Sequence, residues 1–207
     1  MQFGPEAADG LAEILRWRRD VRHFRTDPVP PECLARLRQA MEMSPSVGNA
    51  RPWRVIQVQD AVLRRAVHDS FVATNADAAA TYDAAARADY LRLKLAGLDE
   101  APVHLAVFTL ADPAEGRRLG RQTLPETLTQ STAMAIHAMW LMARALNLGL
   151  GMVSILDPQA IERIFAVPEG WHFAAYLCIG WPEFQDDTPL LHRLGWQENT
   201  APEWQVR

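Results

Sequence analysis

The chain has 207 residues, 49% of them hydrophobic, and a formal net charge of -4 from 21 Lys and Arg against 25 Asp and Glu. That length suits one domain with a sizeable core, and the hydrophobic share excludes a disordered or fibrous chain. The mildly acidic balance argues against a general nucleic-acid binder, and no apolar run is long enough to span a bilayer.

The start, "MQFGPEAADG", lacks the basic and apolar segments of a secretory signal, and Cys33 and Cys178 are the only cysteines. A cytoplasmic location without a disulfide framework is therefore expected. Residues 9–22 read as a helix, with Asp9 as its cap and Leu11, Ile14, Leu15 and Arg18 on one face. Its end, "RWRRDVRHF", places Arg16, Arg18, Arg19 and Arg22 within seven positions. "TDPVPPE" breaks the chain, and Pro31 opens a second helix through Cys33, Leu34, Leu37 and Met41. "SPSVGNARP" is a loop and "WRVIQV" a strand. Residues 60–73 and 78–97 read as helices, and "PVHLAVFTL" as a buried strand.

"PETLTQSTAMAIHAMWLMARALNLG" reads as a long helix, with Pro125 at its start and Gly149 past its end. It is apolar on nearly every face, which implies enclosure in a core or between subunits. "GMVSIL" is a short strand, "DPQAIERIF" a capped helix and "HFAAYLCIGW" a last strand. A tail follows over 182–207. No repeat or linker divides the chain, so residues 1–207 form a single domain with 182–207 as a C-terminal extension. The order implies a layered mixture of helices and strands. Neither "GxGxxG" after a strand nor "GxxxxGK[ST]" is present, which argues against a doubly wound nucleotide fold.

On a helix, Arg18 and Arg22 share a face with Arg19 beside them. Guanidinium groups match phosphate oxygens in bidentate geometry, so the three suit a phosphate monoester. The same cluster also reads as a solvated helix end. Asp20 is either an ion-pair partner for Arg16 or Arg19 or a functional carboxylate. Ser46, Gly48 and Asn49 lie where backbone can approach a flat ligand, or in an ordinary turn. The Ser154 hydroxyl either faces a ligand or satisfies nearby backbone, and no "GxSxG" surrounds it. Arg121 and Glu126 flank a helix start, and Arg193 is a distant candidate for a phosphate site. The six His, among them His137 on the apolar helix, show no metal-ligand spacing, so no metal is expected.

Four segments taken together carry a resemblance: "RRDVRHFRTDPVP" (18–30), "PSVGNARPWR" (45–54), "LRLKLAGLDEAPVHLAVF" (91–108) and "PETLTQSTAMAIHAMWLMARALNLGLGMVSILDP" (125–158). In order and content the chain resembles the nitroreductase-like flavoproteins and, within them, the BluB group of dimethylbenzimidazole synthases. The resemblance implies an α+β fold. This is a three-layer sandwich whose central mixed or antiparallel sheet is flanked by helices, in an intertwined homodimer with flavin sites at the interface. It places FMN against Arg18, Arg19, Asp20, Val21, Arg22, Ser46, Leu95 and Ser154, with Asp20 and Ser154 as the catalytic pair. It makes 78–97 a lid over the flavin.

The implied reaction is oxygen-dependent fragmentation of reduced FMN to 5,6-dimethylbenzimidazole, the lower ligand of cobalamin, with erythrose 4-phosphate leaving. FMNH2 and dioxygen are then the substrates, and a separate flavin reductase supplies the FMNH2. The alternative is an NAD(P)H-dependent FMN nitroreductase or flavin reductase, with an FMN-storage protein or an unliganded interaction domain behind it. The chain departs from the subgroup pattern at Asn49–Arg51 and in "LKLAGLDEAP".

Overall fold

The computed structural model describes residues 1–93 and 97–207. In chain order the elements are α1 (Pro5–Trp17), β1 (Phe24–Arg25), α2 (Pro31–Glu42), β2 (Trp53–Gln57), α3 (Ala61–Ala80), α4 (Ala84–Arg92), β3 (Val103–Leu110), α5 (Thr127–Ala145), β4 (Gly149–Val153), α6 (Pro158–Ile164), β5 (Trp171–Pro182) and α7 (Leu190–Arg193).

The described strands form one five-stranded sheet in the order β1-β5-β3-β2, with β4 also on β5. Every strand pair is antiparallel. β5 is long enough to pair with β4 over Tyr176–Gly180 and with β1 beyond it, at Trp181 and Pro182. The chain just before β1 meets β4 through a parallel bridge between Asp20 and Leu150.

Side chains alternate across a strand, and here the alternation builds two cores. Val103, Leu105 and Val107 of β3, with Ala175, Leu177 and Ile179 of β5, face Leu37 and Met41 of α2 and Ala135 and Met139 of α5. Ala106 and Phe108, with Tyr176 and Cys178, face Val67 and Phe71 of α3 and Ile161 of α6. Helices therefore cover both faces of the sheet, giving three layers.

Most elements agree with the sequence reading, and the exceptions have physical causes. α1 begins after Gly4, so Asp9 lies within the helix and does not cap it. It stops at Trp17, short of residue 22, and Arg18 is already extended at φ -73, ψ 114. The Val21 N–H goes to the Leu150 carbonyl at 3.1 Å, so pairing with β4 replaces the last helical turns. β1 escapes the sequence because two residues show no period. α3 runs unbroken to Ala80, and over the described part of 78–97 the expected single helix is instead the end of α3 followed by α4, with 94–96 outside the described residues. α5 ends with Asn147 in the left-handed region at φ 61, so Gly149 is free to start β4.

Candidate active site

The site is built where the extended segment 18–22 crosses the start of β4. Two glycines of β4 permit the crossing. A Cβ on Gly151 would stand 2.1 Å from the Val21 carbonyl oxygen, and one on Gly149 would stand 2.9 Å from the Val21 methyls. The paired spacing in "GLGMV" was the available sequence signal for this close approach, and the sequence reading missed it.

The crossing fixes Asp20. Its Oδ1 accepts a hydrogen bond from the Met152 backbone N–H at 3.0 Å, and its Oδ2 accepts one from Arg22 Nε at 3.1 Å. Arg22 also donates through Nη1 to the Leu93 carbonyl at 3.2 Å, and its side chain is only 12% exposed. Asp20 thus pairs with Arg22, not with Arg16 or Arg19. Ser154 follows β4 directly, two residues beyond Met152, and both are exposed. The two candidate catalytic residues are therefore linked through one short stretch of β4.

The arginines divide into different environments. The Arg18 guanidinium lies over the indole of Trp140 on α5, 4.9 Å from the ring centroid. Burial, then repulsion from Arg19, hold its pKa below the ordinary guanidinium value, and attraction to Asp20 opposes them. Arg18 Nε is buried with no hydrogen-bond partner among the described residues. Arg19 turns toward the C-terminal extension. Its Nε donates to the Asp187 carbonyl at 3.0 Å, its Nη2 donates to the same oxygen, and Arg16 Nη2 pairs with the Asp187 carboxylate at 2.6 Å. A cavity of about 50 Å³ lies between Asp20, Arg22 and His23 on one side and Phe184, Asp186 and Thr188 on the other.

The remaining candidates are more dispersed. Ser46 Oγ accepts from the Arg51 N–H at 3.0 Å, and the neighbouring Val47 N–H donates to Ser131 Oγ on α5 at 3.0 Å. These bonds close the loop onto itself and onto α5, and neither reaches segment 18–22. Leu95 lies outside the described residues. Arg121 is buried and donates to the Glu115 and Pro113 carbonyls, so it braces its own loop. Arg193 pairs with Asp186. His137 is exposed on α5, and partial desolvation, then the Arg18 charge, lower its pKa.

The described residues offer no cluster of three or more His, Cys, Asp or Glu placed to hold a metal. What they offer is a guanidinium with an unused buried donor. An unpaired buried donor costs about 1–3 kcal/mol, and a phosphate oxygen, like a carboxylate, is a strong charge-assisted partner for a guanidinium. The donor set therefore fits the monoester of a flavin mononucleotide.

A family model described as "Nitroreductase family" matches residues 15–181. The chain is 58% identical to a 5,6-dimethylbenzimidazole synthase of Rhodobacter capsulatus over 207 residues, the whole of both chains. It is 49% identical to one of Rhodospirillum rubrum, covering 94% of this chain and 92% of that one. Among solved structures, the fold is similar to an iodotyrosine deiodinase bound to FMN and 3-iodo-L-tyrosine, with a TM-score of 0.73 at 20% identity, covering 95% of this chain and 97% of that one.

Proposed function

The chain belongs to the nitroreductase family, in its 5,6-dimethylbenzimidazole synthase branch, and from that premise we propose that it fragments reduced FMN with dioxygen to make 5,6-dimethylbenzimidazole. The observation that carries the reading is the end-to-end identity of 58% with a 5,6-dimethylbenzimidazole synthase. The geometry supports it through the arginine with a spare donor and a carboxylate locked beside it.

Bound reduced FMN would supply both the carbon skeleton of the product and the electrons that dioxygen accepts. The protein's part is to hold, orient and shield. Arg18 holds the phosphate. Arg22 and the Met152 N–H fix the Asp20 carboxylate, and each oxygen keeps a lone pair with which to take a proton. Asp20 is the general base, and the exposed Ser154 hydroxyl passes or orients a proton at the end of β4. Val21 lines the crossing, and Ser46 and the described part of 78–97 border the flavin.

Such chemistry needs water excluded. We propose that a second copy of the chain closes the site. Ile14, Met43, Met134 and Leu141 line an apolar groove on α1, α2 and α5, and Met43 and Met134 are exposed in the single chain. Because each turnover consumes a flavin, a separate flavin reductase must supply the next reduced molecule.

The test is to mix the protein with reduced FMN, admit air and search for 5,6-dimethylbenzimidazole by mass spectrometry. Its appearance, dependent on the protein, is expected. Simple reoxidation to FMN would overturn the reading, and rapid anaerobic bleaching of bound FMN by NADPH would favour a nitroreductase instead.

A further inference from the structure

We propose that Trp140 is a positioning residue that makes the chain selective for a phosphorylated flavin, by holding Arg18 so that its free donor faces the phosphate; this rests on the reading above. Arg18 follows the last residue of α1 and stands in extended backbone. A long side chain at the end of a helix keeps many rotamers, and ordering it carries an entropy cost that a fixed partner offsets.

One residue restricts it twice. The Trp140 ring lies under the guanidinium, 4.9 Å from centroid to Cζ. Its indole Nε1–H donates to the Arg19 carbonyl at 3.3 Å, which fixes the Arg19–Asp20 peptide, one residue beyond Arg18. Trp140 itself is seated on α5 against the core below the sheet. The head of the Arg18 side chain and the backbone one residue beyond it are therefore tied to the same rigid element. Tryptophan is also the aromatic residue with the strongest attraction for a cation over its face.

The other arginines of the segment are more heavily committed to the protein. Arg19 spends its donors on the Asp187 carbonyl and the Arg18 carbonyl. Arg22 spends its Nε on Asp20 and its Nη1 on the Leu93 carbonyl. Of the three, Arg18 is the one whose Nε is buried with no partner among the described residues, a state that Arg121 Nε shares elsewhere in the chain. Recognition of the phosphate thus concentrates on a single guanidinium, and the indole sets its direction.

The experiment measures binding of reduced FMN and reduced riboflavin anaerobically, by ultrafiltration, to the native chain and to Trp140→Leu, Trp140→Phe and Arg18→Ala. The readout is the preference for FMN over riboflavin, which a general loosening of the fold would not change. Trp140→Leu should lose roughly tenfold of that preference through FMN alone, and Trp140→Phe, which keeps an aromatic face, should lose roughly threefold or less. Combining Trp140→Leu with Arg18→Ala should add nothing to Arg18→Ala alone. If Trp140→Leu weakens both flavins equally, or neither, Trp140 only fills space and the proposal falls while the phosphate grip stands. If Arg18→Ala leaves the preference intact, the phosphate grip falls too, and the proposal with it.

Discussion

Asp20 and Met152 are 132 residues apart in the chain, yet the carboxylate of one accepts the backbone N–H of the other at 3.0 Å. This bond ties the arginine segment to the strand that ends at Ser154. Arg22 holds the second carboxylate oxygen, so the side chain has little freedom left.

Replacing Asp20 with Asn tests the carboxylate as a base. The amide oxygen can still accept from Met152, but its NH2 cannot accept from Arg22, so a modest loss of stability with FMN binding largely retained is expected. Product formation should fall about 10²- to 10⁴-fold, the usual contribution of a positioned base. Flavin binding and 5,6-dimethylbenzimidazole yield, measured on the same preparation, separate the two effects. Product at the native rate would remove Asp20 from catalysis.

Ser154→Ala probes the other member of the pair. The residue is exposed just past β4, so unfolding free energy should change by about 0.5 kcal/mol or less. A large loss of product with an unchanged melting temperature is the expected outcome. Equal losses of stability and product would mean that the hydroxyl serves the backbone.

Gly151→Ala tests the crossing itself. Its new methyl would stand 2.1 Å from the Val21 carbonyl oxygen, and neither backbone can withdraw without breaking the pairing around Asp20. Overpacking of this kind costs about 3 kcal/mol, or roughly 6–12 °C in melting temperature. At Gly149 the methyl would meet only side-chain atoms of Val21, so Gly149→Ala should cost less, about 1 kcal/mol. Scanning calorimetry of both variants gives the ordering, and a reversed order would contradict the crossing geometry.

The residues show why some of this was legible and some was not. β3 and β5 carry apolar runs that only a sheet covered on both faces can bury, and the helices between them followed from caps and prolines. The basic cluster was visible as charge, but its division of labour was not. Arg19's target lies 168 residues away on a tail without periodicity, and the end of α1 is set by Leu150 on another strand. Local propensity continues a helix through "RWRRD", and it takes a distant pairing partner to stop it. Asp20 and Ser154 came from resemblance, and spacing alone left both ambiguous. The Trp140 contacts had no local signal, since an indole on an apolar helix reads simply as core.

The buried His104 makes the fold lose stability in mild acid. It is 1% exposed and hydrogen-bonds to Tyr176 Oη at 2.9 Å and to the Ala101 carbonyl at 3.0 Å. Burial, and secondarily the Arg64 charge, push its pKa down to about 4, against the Ala101 carbonyl and Asp99, which favour the proton. The unfolded chain binds that proton near the ordinary value of about 6.5. Between these two values the unfolded state takes up a proton that the folded state refuses. The contribution is therefore complete above about pH 6.5 and is lost as pH falls toward 4, with a limiting slope of about 1.4 kcal/mol per pH unit and a total of about 3 kcal/mol. Urea unfolding at pH 7.5, 6 and 5 should show the decline. His104→Gln, which keeps a hydrogen-bonding side chain but does not titrate there, should be less stable at pH 7.5 and flatter below it. An unchanged slope in that variant would place the acid sensitivity on other groups.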